Sequence, residues 1–458
     1  MIATSNISSN TFSVPMGSFP SATNINQLGF LTPTQIATAY NMPSSTGANV
    51  KIGIISLGGG WNATDFNNSM RDMGLNSLVT SANITTVLVD GATGTFTGGD
   101  YDGENTLDLY CVAGIAPKAN IVIYIGTPSG PNYGTTNPLV TPSQNLTTGF
   151  GNIINRAVNE NCDIITISWA QSESFVSSGT TYYFGDWLAA PLANAAAKGI
   201  SVLVASGDYG SEWYANANIV SVSYPATSSN VIAVGGTNLT LGSGNVRLTE
   251  IVENRDPLFT EMGWGSGGGI STTIPVPSWQ SGLTYKRYFV SNSTASSPIT
   301  LTNRGIPDIA GPMNAYAMWF NGNPIGYGGT SAATPIMAGM MARFMSLSGS
   351  RRPIPNAIHP VLYGNLNAYY DITTGNNATT TYLNGYAASS NWDPVTGVGV
   401  PWGNVVYQMV SSGGTTIKTG ASTWNYIANV KVKTATNTWS NVQAIWTKVD
   451  STTWKQTF

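Results

Sequence analysis

The segment Gly328–Pro335 combines a serine with the small neighbours that a nucleophile needs. It reads Gly-Gly-Thr-Ser-Ala-Ala-Thr-Pro, and Ser331 stands just before an apolar run over residues 332–345 that is typical of a helix. The glycines let a substrate carbonyl approach closely, and backbone N–H groups at a helix start stabilise developing negative charge. The segment alone is equally compatible with a serine that only caps a helix.

A serine nucleophile needs a base, and the chain has only one histidine, His359. A Ser-His-Asp triad is therefore improbable. Glu104 and Asp108 are spaced four apart, so in a helix they share one face. Two close carboxyl groups push their pKa values apart, which leaves one as a base that works best in acid. The alternative is a solvated helix face that carries two ordinary charges.

A third carboxylate, Asp208, follows a buried-strand pattern over residues 202–205 that ends in turn residues. Active-site residues of parallel α/β sheets gather at such carboxyl ends of strands. A protonated Asp208 donates a hydrogen bond, as a neutral carboxylic acid does to an oxyanion. The alternative is an aspartate that merely forms a turn.

These segments together resemble the sedolisins, the serine-carboxyl peptidases, and among them the kumamolisin-like members. The resemblance covers roughly residues 30–410. It runs in order through residues 31–33, 54–60, 104–108, 167–169, 206–208, 267–271, 275–280, 304–308, 328–335 and 392–397.

The resemblance implies a subtilisin-like fold and an acid-active endopeptidase that acts on polypeptides through an acyl-enzyme. It implies that Ser331 is the nucleophile, that Glu104 is the general base and acid, that Asp108 orients Glu104, and that Asp208 donates to the oxyanion. One position departs from the kumamolisin-like pattern: Ser56 stands where a glutamate is common, while the tryptophan coupled to it matches Trp169.

The resemblance also implies one structural calcium ion near the end of the catalytic domain. Its ligands would come from Asp371, Ile372, Ser389, Asn391 and Asp393, with Ser389 and Asn391 standing where glycines usually supply carbonyls. Calcium accepts carboxylate and carbonyl oxygens in a flexible shell, so a loop that keeps its path retains the site. The alternative is that Asp371 and Asp393 only cap turns.

Composition narrows the class and the setting of the protein. Of 458 residues only 9% are charged, the net charge is −3 and the pI is about 5.2, which argues against a nucleic-acid partner. No apolar run approaches the roughly 18 residues of a membrane span, and residues 1–20 lack the pattern of a secretory signal. We expect an acidic setting outside a cell or on a particle such as a virion. Cys111 and Cys162 allow one disulfide or two thiols.

Short buried-strand patterns at residues 50–55, 121–124, 164–168 and 201–205 alternate with helical patterns at residues 153–158 and 187–198. They predict an α/β fold with a parallel sheet flanked by helices. We expect an N-terminal arm (1–30), a peptidase domain (31–410) and a C-terminal extension (411–458). Sedolisins usually carry a longer propeptide, so a trimmed precursor, or control by pH or assembly, is expected.

The extension repeats with a period of 15, in segments that run from a lysine to a Thr-Trp pair at residues 418–424, 433–439 and 448–454. Alternation of Trp, Val, Ile and Thr with polar residues favours β-hairpins that present one aromatic face. Attachment to a particle, glycan or partner chain and packing onto the catalytic domain are both compatible with these repeats. The rival to a peptidase is accordingly a binding or structural protein that has retained a peptidase scaffold.

Overall fold

The computed structural model describes residues 23–126, 144–177, 180–183, 185–211, 221–254, 264–347, 358–378 and 384–403, and the backbone of short strands near both ends of the chain. Within this described part, eight strands form one central sheet. They are β1 Lys51–Ser56, β2 Ile84–Leu88, β3 Asn120–Ile125, β4 Ile164–Ile167, β5 Ser201–Ala205, β6 Ile232–Leu241, β7 Arg247–Val252 and β8 Ile309–Pro312.

The strand order is β7-β6-β5-β4-β1-β3-β2, and β8 also pairs with β6. Every pairing in this sheet is parallel except that of β6 with β7. The carboxyl ends of β1, β4 and β5 therefore meet at one edge, where the chain continues into Gly58–Gly60, Ser168 and Ser206–Asp208. This edge carries the candidate site.

Helices cover both faces of the sheet. They are α1 Pro33–Ala39, α2 Ala63–Asp72, α3 Asp100–Ile115, α4 Gln144–Asn159, α5 Ala189–Ala197, α6 Thr330–Leu347 and α7 Ile358–Tyr363. Neighbouring side chains along β1 enter different core layers: Ile54 packs with α3 and α6, whereas Ile55 packs with α4 and α5. The predicted α/β fold with helices on both faces is confirmed.

Helices α3 and α6 lie in close contact beneath the candidate site. A Cβ atom on Gly339 of α6 would lie 2.7 Å from Cβ of Ile115 in α3, so the absence of a side chain permits this approach. Helix α3 is consequently buried around its whole circumference from Asp102 to Ile115. Any carboxylate within this span is removed from solvent.

The remaining strands of the described residues are short. They are Ser8–Ser9, Phe12–Ser13, Trp169–Ser172, Ser174–Ser177, Thr180–Tyr183, Ser223–Tyr224, Gly269–Pro275, Thr284–Tyr285, Arg287–Phe289, Thr294–Ala295, Ile299–Thr300, Asn303–Ile306, Tyr316–Phe320, Asn323–Gly328, Tyr369–Tyr370, Asn384–Tyr386 and Val400–Pro401. No helix in the described ranges is both long and apolar enough to cross a bilayer.

Several element boundaries differ from those predicted. The helix expected over residues 187–198 begins at Ala189, and β4 ends at Ile167, so Ser168 lies just outside the strand. Both cysteines are buried free thiols, Cys111 in α3 and Cys162 before β4. The two thiols lie on opposite sides of the sheet, so they do not form a disulfide with each other.

The C-terminal repeats form three two-stranded antiparallel hairpins. Thr416–Lys418 pairs with Trp424–Tyr426, Lys431–Ala435 with Thr438–Asn441, and Trp446–Lys448 with Trp454–Gln456. In each hairpin the lysine and the tryptophan that bound the repeat are register partners: Lys418 and Trp424, Lys433 and Trp439, Lys448 and Trp454. The 15-residue period is thus the period of one hairpin. The side chains of this extension, and hence the predicted aromatic face, lie outside the described residues.

Candidate active site

Ser331 is the second residue of helix α6 and is 0% exposed. The carbonyl oxygen of Gly329 accepts hydrogen bonds from the backbone N–H groups of Ala332 (2.9 Å) and Ala333 (3.2 Å), so Gly329 occupies the cap position. Its φ of +121° is a conformation that glycine adopts without strain. Ser331 is therefore not a helix cap. Its Oγ has no hydrogen-bond partner among the described residues, which leaves this hydroxyl available for chemistry.

A proline one turn later changes the hydrogen bonding of the Ser331 main chain. Pro335 lies inside α6 and lacks the N–H that would donate to the carbonyl four residues earlier. That carbonyl belongs to Ser331, and Oγ of Ser168 lies 3.5 Å from it. The end of β4 is thereby brought against the start of α6.

Helix α3 is fixed at its start by Asp102. The Asp102 carboxylate accepts hydrogen bonds from the backbone N–H groups of Thr97, Gly98 and Gly99, from the Thr97 hydroxyl, and from the N–H of Gly60 in the loop after β1. The segment that leads into α3 and the loop after β1 therefore share one anchor. This anchor fixes the position of Glu104 and Asp108 beside the edge of the sheet where the carboxyl ends of β1, β4 and β5 meet.

Glu104 and Asp108 are both 0% exposed, which rules out a solvated helix face. Oδ1 of Asp108 accepts a hydrogen bond of 2.8 Å from Oγ of Ser168, the same hydroxyl that approaches the Ser331 carbonyl. Burial raises the pKa of Asp108 well above its ordinary value, and the neighbouring charge of Glu104 raises it further. Both effects favour the protonated form of Asp108.

Asp208 contacts the start of α6 from the end of β5. Its Oδ1 accepts hydrogen bonds from the N–H (2.8 Å) and the hydroxyl (2.7 Å) of Thr330, so Asp208 does more than form a turn. Burial raises the pKa of Asp208 well above its ordinary value. The charges of Glu104 and Glu253 add to this rise, while the Thr330 hydrogen bonds oppose it. Oδ2 is buried and has no hydrogen-bond partner in the described part of the chain, which leaves this oxygen available to carry a proton.

Glu104 links these groups electrostatically. Burial is the largest cause of the raised pKa values of Asp108, Asp208 and the phenol of Tyr327, and the charge of Glu104 raises each of them further. Three buried carboxyl groups from two elements therefore form one cluster at the start of α6. Together with Ser331, this cluster offers a hydroxyl, a base and a neutral acid in a water-poor environment. These are the groups that acyl transfer requires.

Comparison with known proteins agrees with this geometry. The sequence profile of the Subtilase family matches residues 91–362, a range that includes Glu104, Asp108, Asp208 and Ser331. Kumamolisin of Bacillus sp. (strain MN-32) is 33% identical over 389 residues, which cover 81% of this chain and 62% of that protein. Sedolisin of Pseudomonas sp. (strain 101) is 30% identical over 391 residues, which cover 81% of this chain and 59% of that protein.

A solved structure of Pseudomonas sedolisin, described as a serine-carboxyl proteinase in complex with two molecules of pseudo-iodotyrostatin, shares the fold. It matches with a TM-score of 0.62 and 27% identity, over 84% of this chain and 98% of that one. The chain belongs to the subtilase family, as a sedolisin-type, kumamolisin-like member. It spans about three fifths of the length of the two curated relatives named above.

In this sedolisin-type subtilase, the predicted calcium residues lie in one loop region. Oδ2 of Asp371 accepts a hydrogen bond of 2.8 Å from the N–H of Asn391, and Oδ2 of Asp393 accepts one of 2.9 Å from the N–H of Ser389. The carbonyl of Ile372 lies 3.4 Å from the Thr396 hydroxyl. All five predicted residues are thus brought together.

Three observations bear on whether this loop suits a cation. Asn391 has a φ of +70°, the left-handed conformation that glycine favours and asparagine tolerates, so the substitution is compatible with the loop path. Asp393 is fully buried. Burial raises its pKa to about 7, although hydrogen bonds from backbone N–H groups act to lower it. In the described ranges no three His, Cys, Asp or Glu side chains form a metal cluster, so a cation here would depend on two carboxylates and carbonyls. The residues fit calcium, which prefers oxygen ligands.

The only histidine of this subtilase has other partners. Nε2 of His359 lies 2.7 Å from the carbonyl oxygen of Val231 and 3.8 Å from Oδ2 of Asp308, and its ring stacks on Trp279 at 4.4 Å. At Ser56, where a glutamate is common in kumamolisin-like enzymes, the hydroxyl donates to the carbonyl of Gly58. Trp169 stacks instead on Tyr101, with ring centroids 5.0 Å apart.

Sequence reasoning gave no role to two residues that organise the site. Ser168 joins Asp108 to the Ser331 carbonyl, and Thr330 joins Asp208 to α6. Ser168 stands directly after a buried strand, and Thr330 directly before the nucleophile. A hydroxyl side chain at each of those positions was the signal that the sequence offered for such a role. It could not identify the hydrogen-bond partners, which lie 60 and 122 residues away in sequence.

Proposed function

We propose that this protein is an acid-active serine-carboxyl endopeptidase that hydrolyses polypeptides through an acyl-enzyme on Ser331. The observation that carries the proposal is the buried cluster of Glu104, Asp108 and Asp208 around the start of α6. Family membership supports it, because it makes chance association of these residues improbable.

In the proposed reaction Glu104 accepts a proton in one step and donates it in the next. Oγ of Ser331 attacks the scissile carbonyl while Glu104 takes the hydroxyl proton, and Glu104 then gives that proton to the leaving amine. Neutral Asp208 donates from Oδ2 to the oxygen that becomes negative, in a site where low dielectric strengthens the interaction. Water then hydrolyses the ester with Glu104 acting as base.

Asp108 supports Glu104 and does not replace it. Its raised pKa keeps it protonated while Glu104 is ionised, and its Oδ1 is occupied by Ser168. When two close carboxyl groups share one proton, one is protonated and the other is ionised, because two negative charges at short range repel each other. Glu104 is therefore the proposed base.

The pH profile of hydrolysis tests the proposal. Asp208 donates only when protonated, so its contribution is present below its raised pKa and disappears as pH rises through that value. Glu104 must be ionised, so activity also falls at the most acidic pH. We expect hydrolysis of unfolded protein between pH 2 and 8 to peak in acid and Ser331→Ala to abolish it. A folded protein without activity at any pH would favour the binding-protein alternative.

We propose that one structural calcium ion is held by the carboxylates of Asp371 and Asp393 and the carbonyls of Ile372, Ser389 and Asn391. The support is the convergence of these residues and the buried carboxyl of Asp393. When bound, the ion would tie the two loop segments together by neutralising their charge. It takes no part in the proton transfers.

Removal of calcium is expected to lower the melting temperature. A site saturated at a hundredfold excess over Kd contributes about 2.7 kcal/mol of stability, which EGTA would remove. Calorimetry should show this shift for the wild type and for Asp90→Asn, a control at an exposed aspartate outside the loop. Asp393→Asn should melt at one temperature with or without calcium. Equal melting of the wild type in calcium and in EGTA would contradict the proposal.

We also propose that the enzyme works outside a cell or on a particle, with residues 411–458 as an attachment extension beside the peptidase domain (31–410) and the N-terminal arm (1–30). The low content of charged residues supports an acidic setting, because protonation changes the surface charge little. The three hairpins repeat one unit, which suits repeated contacts with a regular partner.

A further inference from the structure

A cavity of about 250 Å³ lies at the edge of the central sheet opposite the candidate active site. Its lining comes from the amino ends of β5 and β6, from the turn that joins α5 to β5, from the start of α7 and from Trp279. Ser331 and the carboxyl cluster lie at the carboxyl ends of the same strands. We call this cavity the amino-edge pocket, and the length of β5 separates it from the catalytic groups.

Two buried polar atoms at the amino-edge pocket lack partners. Ser201 lines it from the first position of β5 and is 2% exposed, and its Oγ has no hydrogen-bond partner among the described residues. Nε1 of Trp279, which also lines the pocket, is buried and equally without a partner in that part of the chain. Buried polar groups are nearly always hydrogen-bonded, so two such atoms at one cavity indicate an occupant that meets them.

Water alone suits only part of this pocket. A volume of 250 Å³ has room for roughly eight waters at about 30 Å³ each, and a buried water makes about three hydrogen bonds to polar groups. Much of the lining is instead apolar, from Ala196, Ile200, Val202, Ile232 and Ile358. A molecule that covers this apolar wall and also binds the two polar atoms satisfies the whole pocket.

The lining also selects the charge of the occupant. None of the described residues that line the pocket is a lysine, arginine, aspartate or glutamate. Lys198, at the end of α5, donates from Nζ to the carbonyl of Val158 at 3.3 Å. An ion would therefore lose its hydration at this site without gaining a counter-charge, which favours a neutral ligand.

The single histidine of the chain fixes one wall of the pocket. The ring of His359 stacks on Trp279, with centroids 4.4 Å apart and planes 14° apart. Its Nε2 lies 2.7 Å from the carbonyl oxygen of Val231, the residue that directly precedes β6. Trp279 is thus held against the sheet through His359. A wall fixed in this way lowers the cost of binding, because no loop has to be ordered first.

The size of the pocket and its two polar atoms define a ligand class. A cavity of about 150 Å³ accommodates benzene, so the amino-edge pocket accommodates one ring with a small polar substituent. The indole N–H only donates and requires an acceptor, whereas the Ser201 hydroxyl both donates and accepts. A carboxamide offers an acceptor and donors together. We propose that the amino-edge pocket binds a small neutral molecule that carries one ring and an amide, with the amide at Trp279 and Ser201.

Ligand-observed NMR titration of the full chain with benzamide as the probe tests the proposal. We expect a Kd of about 1 mM, which is within the usual range for a ligand of about nine heavy atoms. Toluene, which keeps the ring but cannot pair the polar atoms, and benzoate, which adds a charge, should each bind about tenfold more weakly. Ser331→Ala should bind benzamide with the wild-type Kd, because the catalytic groups lie at the other edge of the sheet.

Matched substitutions at the end of α5 locate the bound probe. Ala196 is half-buried and lines the pocket, whereas its neighbour Ala197 is exposed and does not. Leucine suits a helix nearly as well as alanine, so both variants keep α5. Ala196→Leu fills the pocket and should weaken benzamide binding at least tenfold, and Ala197→Leu should leave the Kd unchanged.

Two further variants test the hydrogen bonds one at a time. Ser201→Ala removes the hydroxyl, and Trp279→Phe removes the N–H but keeps a ring against His359. Each should raise the Kd for benzamide about threefold to tenfold, the usual value of one hydrogen bond. These two values decide the question alone if Ala196→Leu does not fold.

Several results would overturn the assignment. Equal Kd values for the wild type and a folded Ala196→Leu would place the probe elsewhere, and absence of binding at the solubility limit of benzamide would leave the pocket to water. Tighter binding of benzoate would identify an anion site, and equal binding of toluene a purely apolar one. None of these readouts requires catalysis, so they stand apart from the test of the proposed function.

Discussion

Replacement of Glu104 by glutamine is expected to lower kcat by about 10⁴-fold, the upper range for the loss of a general base. Glutamine preserves the size of the side chain in the fully buried helix α3 but cannot accept the Ser331 proton. Because proton transfer belongs to the chemical step, KM should change little. Steady-state kinetics on a peptide substrate at the acid optimum measures both constants.

Asp108→Asn is the matched control for this variant. It makes the same change of acid to amide one turn along the same helix, and the amide oxygen still accepts the hydrogen bond of Ser168. If Asp108 is the protonated member of the pair, the neutral amide replaces a neutral acid, and kcat should fall by no more than about tenfold. An equal loss in the two variants would contradict the assignment of Glu104 as the base.

Replacement of Asp208 is expected to have the second largest effect. Asp208→Ala removes the oxyanion donor and the acceptor for both Thr330 hydrogen bonds, and kcat should fall by about 10²–10³-fold. The pKa of Asp208 is raised, so its donor is present in acid and lost as pH rises. In Asp208→Ala the remaining activity should therefore no longer decline through that titration.

Asp208→Asn separates the donor from the titration. The asparagine oxygen still accepts from Thr330, and its amide donates at every pH, so kcat should stay within about tenfold of the wild type. The alkaline side of the pH–rate profile should move to higher pH, because the group that lost its proton there is gone. A profile with an unchanged alkaline side would show that another group sets it.

Local patterns predicted the central strands and helix α6 well. Strands β1, β3 and β5 lie within one residue of their predicted ends or match them, because continuous runs of Val and Ile with turn residues at their ends suit few other structures. Spacing likewise placed Glu104 and Asp108 on one helix face. Boundaries such as the start of α5 at Ala189 were less accurate, because helix ends depend on tertiary contacts.

The sequence by itself determined the chemical groups of this protein: a serine at a helix start, two carboxylates four residues apart, a third at a strand end, and a single histidine too isolated to serve them. Those properties are local, since they depend on residue type and on spacing within a few positions. The direction in which the pKa of each carboxyl group is shifted was decided only by the tertiary structure. Burial and charges from separate elements set the pKa values, as Glu104 and Glu253 do for Asp208.

The same holds for the links through Ser168 and Thr330. Their partners lie from 60 to 163 residues away in sequence. Folding brings those positions together because parallel strands end at one edge of the sheet and α3 packs against α6 beneath it. Contacts of that range leave no periodic signal in a single sequence, so only the folded chain reveals them.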